Sequence, residues 1–178
     1  MKELIYEIFA DYRTPIVFLH VISAVVWVGG MIAMRYAAHN SFIHIESPLN
    51  RLERISHALK RLFVIVTPFV IILIITAVIM AVGLGFREAA VDGDHNVIDE
   101  AAMVLYNMIH IKEAIWMLMA MNLALMAIFR SQADKLLDKG DTRGAKAKLS
   151  RIGKYMVPLN IILGIIAIYM GVFLRNAY

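Results

Sequence analysis

The chain of 178 residues has no cysteine, is 61% hydrophobic and only 18% charged, and carries a formal net charge of +4. Soluble domains are about 45–50% apolar and about 25% charged, so this composition excludes a disordered chain and argues against a soluble globular enzyme. It also excludes disulfides, cysteine-ligated zinc, iron–sulfur clusters and thiol nucleophiles, which leaves His, Met, Asp and Glu for any metal.

In chain order, apolar runs cover residues 14–36, 61–83, 103–129 and 155–174. Each reaches the roughly 20 residues that a helix needs to cross about 30 Å of hydrocarbon. The two-residue alternation of membrane strands is absent. The prediction is an all-α, integral membrane four-helix bundle, up-down-up-down, forming a single membrane domain. Thr14-Pro15 reads as the cap and first-turn proline of the first helix. That run is longer than the roughly 7–15 apolar residues of a signal peptide, and Arg35 follows it without a small-residue cleavage site, so it is expected to stay uncleaved. After Pro48, Leu52, Ile55, Leu59 and Leu62 recur at helical spacing and predict that the second helix begins well before its apolar run. Asp92-Gly93-Asp94 reads as a turn and Asp99 as the N-cap of the third helix. The polar segment 131–150 should extend helices three and four.

Four spans return the chain to its N-terminal side. The opposite side then holds Arg35, Arg51, Arg54, Lys60 and Arg61, followed by Arg130, Lys135, Lys139, Arg143, Lys146, Lys148, Arg151 and Lys154. By the positive-inside rule this basic side is cytoplasmic. The expectation is a multi-pass protein of the bacterial inner membrane with both termini on the periplasmic side. The positive charge has a topological explanation, and no nucleic-acid partner is needed.

Ionisable residues inside a span are costly and mark function. His20 lies in the first run, and His110, Lys112 and Glu113 lie in the third. Counted from the N-terminal side at about 1.5 Å per residue, His20 and His110 reach similar depth. Two imidazoles facing each other across a bundle would supply the axial ligands of a haem b. Ser23, Trp27, Met31 and Met34 continue the His20 stripe, and Met117 and Met121 that of His110, as packing below a macrocycle or as plain core. Arg13, Arg87, Tyr106 and Lys112 lie toward the N-terminal side, where propionates would be met. Lys112 points about 200° away from His110 on a helix, which also leaves it free to snorkel to the interface. Glu113 shares the His110 face and would orient its imidazole, accept a proton or pair with an arginine. Asn122 and Asn160 are expected to join helices three and four. His39, His44 and His57 lack ligand spacing and read as surface residues.

Leu19-His20-Val21-Ile22-Ser23 followed by Trp27 and Gly30 resembles the first helix of the HemJ family, which is itself similar to the CopD copper-resistance membrane proteins. Lys60-Arg61-Leu62-Phe63 with Thr67-Pro68 is similar to its second helix, His110-Ile111-Lys112 to the His-x-Lys of its third, and Arg151 with Pro158 to the opening of its fourth. The resemblance runs in order through all four spans. It implies a haem-b-binding four-helix membrane oxidoreductase, a protoporphyrinogen IX oxidase that passes electrons onward to the respiratory chain. On that likeness His20 is a haem ligand or substrate-site histidine, Lys112 sits near the porphyrin carboxylates, and Trp27 belongs to the pocket wall.

The haem reading thus makes His20 and His110 the metal ligands. Trp27, Tyr106, Lys112 and Arg13 are its cofactor-binding residues, and Glu113 with Lys112 handle protons. Its partners would be the lipid bilayer and a small redox molecule, porphyrinogen or quinone. Two other readings stay open. Twelve methionines with intramembrane histidine suit Cu(I), which points to a CopD-like copper transporter. A cofactor-free structural subunit of a membrane complex is the third. Gly29-Gly30 and Ala77 with Ala81 offer close-packing surfaces, for the bundle itself or for a homo-oligomer.

Overall fold

The computed structural model describes residues 2–176, apart from the side chain of His39. Four of its helical stretches are long and apolar enough to cross a membrane. The first comprises α1 (Lys2–Ile32), a π-helical segment (Ala33–Ala38) and the short α2 (His39–Phe42). The second is α3 (Pro48–Gly83), followed by the short α4 (Phe86–Ala90). The third is α5 (Glu100–Asp138). The fourth comprises α6 (Thr142–Arg151), a π-helical segment (Ile152–Met156) and α7 (Val157–Asn176).

Local chemistry explains most of the boundaries. The Ser47 hydroxyl accepts from Asn50 N, and Pro48 occupies the first turn of α3, where its missing N–H costs nothing. The Asp99 carboxylate accepts from Ala101 N and Ala102 N at the start of α5, as its sequence position predicts. Asp99→Ala should therefore destabilise the protein by about 1 kcal/mol, read as a lower midpoint in a denaturant titration. Before α5 the chain makes a small hairpin. The Asp92 carboxylate gathers Asp94 N, Asn96 N and the Asn96 amide, and Val91 pairs with Val97. His95 takes φ 67° in this turn.

The start of α1 differs from the expectation. Thr14 is not its cap: the helix begins at Lys2, and Pro15 lies inside it. Proline lacks the N–H that would reach Asp11, and its ring crowds that carbonyl. The helix accordingly breaks its geometry at Tyr12, with φ −118° and ψ 27°. Tertiary packing holds the preceding turns. Phe9 is buried against Gly83 at the end of α3, where a Cβ would collide with its ring, and Lys2 pairs with Glu88 at 3.0 Å.

Pairing between the long helices follows from small residues and amphipathic stripes. Along α1 and α3, Phe9 meets Gly83, His20 meets Thr76, and the Cα of Gly30 faces Leu62 and Val66. Residue numbers therefore rise on one helix as they fall on the other. Gly30 serves packing within the chain, whereas Gly29 faces outward. Leu52 and Leu59 are buried, and Ile55 and Leu62 pack against the same core, as their spacing predicts. Asn122 donates to Asn160 Oδ1 at 2.7 Å and to Met156 O at 2.8 Å, while Asn160 donates to Met119 O. These bonds join α5 to α7, as their sequence positions suggested. Gly164 lets α7 approach Val28 of α1. At the basic end, Ser56 donates to Asp134, which also pairs with Arg130 at 2.8 Å.

Candidate functional site

His20 sits on the inner side of α1, one turn before the fully buried Ser23 and two before Trp27. Its Nδ1 lies 3.0 Å from Thr76 Oγ1. The Thr76 hydroxyl spends its own proton on the carbonyls of Ile72 and Leu73. Its oxygen therefore accepts, His20 Nδ1 carries the hydrogen, and Nε2 keeps its lone pair. Such a hydrogen bond on one ring nitrogen is how proteins orient an imidazole that coordinates through the other.

Lys112 enters the same region from α5. It lies within electrostatic reach of His20, and its Nζ is 3.2 Å from the place a Cβ would take on Gly171 of α7. The missing side chain of Gly171 is what makes room for the ammonium. Lys112 has neither an ion pair nor a hydrogen bond among the described residues. It stands on the inward stripe of α5, which runs Lys112, Trp116, Met119, Leu123, Met126 at alternating spacings of four and three.

That stripe leaves His110 on a different face. His110 Nδ1 is 3.1 Å from Glu113 Oε2, and its ring meets Tyr106 edge-on with centroids 4.6 Å apart. His110 and Glu113 are about half exposed and, with Lys2, Ala81, Val82, Arg87 and Tyr106, line a groove of about 150 Å³ at the N-terminal side. Glu113 thus orients the His110 imidazole, the first of the roles its position offered. Lys112 lies within electrostatic reach of His20, whereas His110 lines this groove beside Glu113. With Nδ1 carrying the hydrogen, the His20 imidazole has the donor chemistry to hold a haem iron.

The remaining expected site residues divide likewise. Trp27 is 1% exposed and belongs to the core wall below His20, with Met31 at 0% and Met34 packed beside them. Met117 and Met121 are 65% and 56% exposed, so they are not packing beneath a cofactor; Met119 faces the core instead. Arg13 is exposed and stacks on Phe9, with its guanidinium 5.9 Å from the ring centroid. Arg87 donates to His95 Nε2 at 3.0 Å. His44 is exposed, and His57 is exposed and accepts from Arg61 Nε, in keeping with surface roles. The expectation for His39 falls outside the described side chains.

Three participants went unread in the sequence. Thr76 and Gly171 are ordinary apolar-helix residues until His20 and Lys112 arrive beside them. Trp116 was legible, because it lies one turn from Lys112 on the inward stripe. The indole N–H groups of Trp116 and Trp27 are both buried without a hydrogen-bond partner among the described residues. Native interiors rarely leave such donors unsatisfied, and each costs about 1–3 kcal/mol. The inner face therefore offers two free N–H donors, one ammonium and one imidazole lone pair, with no acceptor set against the donors.

Outside the apolar spans, two carboxylates are held below the usual carboxylate range. The hydrogen bond from Lys2 does this for Glu88, and the Asn96 side chain and backbone do it for Asp92. A depressed folded value adds stability that is fully present above the unfolded value of about 4. That stability is lost as pH falls through the lower folded values. Protection from hydrogen exchange at Asp94 and Asn96, relative to the unstructured rate at each pH, should therefore fall below about pH 4, and unchanged protection down to pH 2 would refute the assignment.

Comparisons with family models, curated proteins and solved structures match nothing to this chain.

Proposed function

We propose that the protein is a haem-b-binding, multi-pass membrane oxidoreductase, with its cofactor held inside the bundle by His20 and served by Lys112. The observation that carries this reading is that Lys112, distant in sequence, lies within electrostatic reach of His20 in an apolar interior, where its Nζ has neither an ion pair nor a hydrogen bond among the described residues. Intramembrane ionisable groups are expensive and rare without a role. The opposed numbering of successive helix pairs supports an up-down-up-down bundle. The excess of Lys and Arg on the 43–60 and 130–154 side supports a periplasmic position for both termini.

In this reading a bound haem supplies one-electron transfer. Thr76 fixes the His20 tautomer and leaves Nε2 without a hydrogen. Lys112 offers a positive charge to a porphyrin carboxylate, and the Trp116 N–H stands on the same stripe one turn deeper. Trp27, Met31 and Val66 are buried and exclude water from the layer below. Oxidation of protoporphyrinogen IX to protoporphyrin IX, which the HemJ resemblance implies, is the specific reaction we propose, with the substrate's electrons passed to a membrane quinone that is reduced to quinol. The His110–Glu113 pair then serves as a proton acceptor at the N-terminal face, where solvent reaches it.

The visible spectrum of the detergent-purified protein, oxidised and dithionite-reduced, tests the cofactor. A Soret band and a sharp reduced α-band at near-stoichiometric haem are expected. A colourless protein from haem-replete cells would refute the reading. One observation favours copper as a second reading: Met31, Met119, Met126 and Met156 are all buried in one core cluster toward the basic side. Thioethers suit Cu(I), and copper rather than iron in the same sample would decide for it.

A further inference from the structure

At the basic end of the bundle, three cations sit on aromatic rings. Lys148 Nζ lies 4.9 Å and the Arg151 guanidinium carbon 5.6 Å from the Phe129 ring centroid, and Lys154 Nζ lies 5.2 Å from that of Tyr155. The ion pairs among the described residues are Lys2–Glu88, His110–Glu113 and Arg130–Asp134, so none of the three cations has an acidic partner there. A ring quadrupole attracts a cation, but two cations gathered at one ring repel each other. Free solvation would let such long side chains separate. The backbone does not favour this: Ala145, Leu149 and Ile152 are buried and fix α6 and the turn after it against the core. Lys148 and Arg151, three residues apart, are thereby held on one helix face. What this arrangement lacks is an anion.

The surroundings specify which kind. Phe129 closes the apolar stretch of α5, and Tyr155 opens that of α7. Aromatic residues at such boundaries mark the headgroup level of a bilayer. From Tyr155, which is 60% exposed, a ridge of exposed apolar side chains runs along the outside of the fourth helical stretch through Leu159, Ile162 and Ile166 to Tyr169. Their spacings of four, three, four and three keep them on one face. A positive cluster at headgroup level thus stands at the head of a continuous apolar track.

We propose that Lys148, Arg151 and Lys154, seated on Phe129 and Tyr155, bind the phosphate of an anionic phospholipid whose acyl chain lies along the Leu159–Ile162–Ile166 ridge. Arg151 presents a planar fork that matches phosphate oxygens, and the two lysines supply point charges. The lipid relieves the repulsion at Phe129 and staples the basic end of α6 to the bilayer. This site rests on the membrane reading of the fold and is independent of the haem reading.

Native mass spectrometry of the full-length protein in detergent tests the site, with phosphatidylglycerol, phosphatidylcholine and inorganic phosphate as separate probes. Phosphatidylglycerol should bind at least tenfold more tightly than phosphatidylcholine and survive millimolar phosphate. The Lys148→Gln/Arg151→Gln double variant should lose that preference, and Arg151→Lys should weaken it in part. Lys135→Gln/Lys139→Gln, which removes equal charge from the same side, should leave it unchanged. Circular dichroism of each variant checks that the helices persist. Equal binding of the two lipids, equal loss in both double variants, or phosphate binding as tightly as the lipid would each overturn the proposal. A chain that stays dispersed without detergent would instead overturn the membrane reading beneath it.

Discussion

His20→Ala is expected to yield a folded protein that has lost its haem, with retention falling more than tenfold from near-stoichiometric. The side chain is half-buried and makes its hydrogen bond to Thr76, whose hydroxyl keeps its carbonyl partners in Ile72 and Leu73 after the change. The helices therefore have little to lose, while the uncommitted Nε2 disappears. Lys112→Met preserves the length and apolar stem of the side chain but removes the ammonium beside Gly171. It should lower haem retention without abolishing it. Gly171→Ala should have a smaller effect, because a Cβ would stand 3.2 Å from Nζ and only nudge this flexible tip aside. His110→Ala should leave retention close to the parent, since its contacts are Glu113 and Tyr106 in the separate groove. The measurement is haem per protein in reduced-minus-oxidised spectra. A His20→Ala protein with full haem would sink the ligand assignment. Complete loss in His110→Ala would show that the two histidines come together when the cofactor binds.

The second large effect concerns stability. Asn122→Ala should destabilise the protein by about 2 kcal/mol, read in a sodium dodecyl sulfate unfolding titration. Asn122 is buried and bridges two acceptors, Asn160 Oδ1 and Met156 O, so truncation strands both and opens a void. The membrane setting trims the figure, because a chain unfolded within the bilayer also finds hydrogen-bond partners. Asn122→Leu/Asn160→Leu should recover much of the loss, because removing both partners leaves no unpaired amide. A neutral Asn122→Ala would show that the inter-helix bonds add nothing.

How far each feature could be read from sequence depends on the range of the physics behind it. The Ser47 and Asp99 caps, the Asp92 turn and the stripe from Leu52 to Leu62 act over a few residues, so composition and spacing reveal them. Asn122 and Asn160 could be read as partners because polar residues in apolar helices must find each other. Pro15 misled for the opposite reason. A proline in the first turn and a proline inside a kinked helix look the same locally, and only the packing of Phe9 on Gly83 keeps the helix continuous before it. The site divides the same way. Periodicity on α5 allowed two inward faces, one through His110, Met117 and Met121 and one through Lys112, Trp116 and Met119. Both contain apolar residues, and in a lipid-facing helix the outer surface is as apolar as the inner, so the usual contrast between them vanishes.

The order of residues alone therefore specifies an all-helical chain with four apolar spans, its caps and turns, the basic segments between them and the short list of ionisable residues at depth. Local hydrogen bonding and burial of apolar length suffice for each of these. The packing of the helices settles that Lys112 comes within electrostatic reach of His20, that Thr76 sets the imidazole and Gly171 admits the ammonium, and that Lys148 and Arg151 converge on Phe129. Those pairings join residues on separate helices. They depend on the rotation of each helix about its axis, which the interlocking of Gly30, Gly164 and Asn122 with their partners sets.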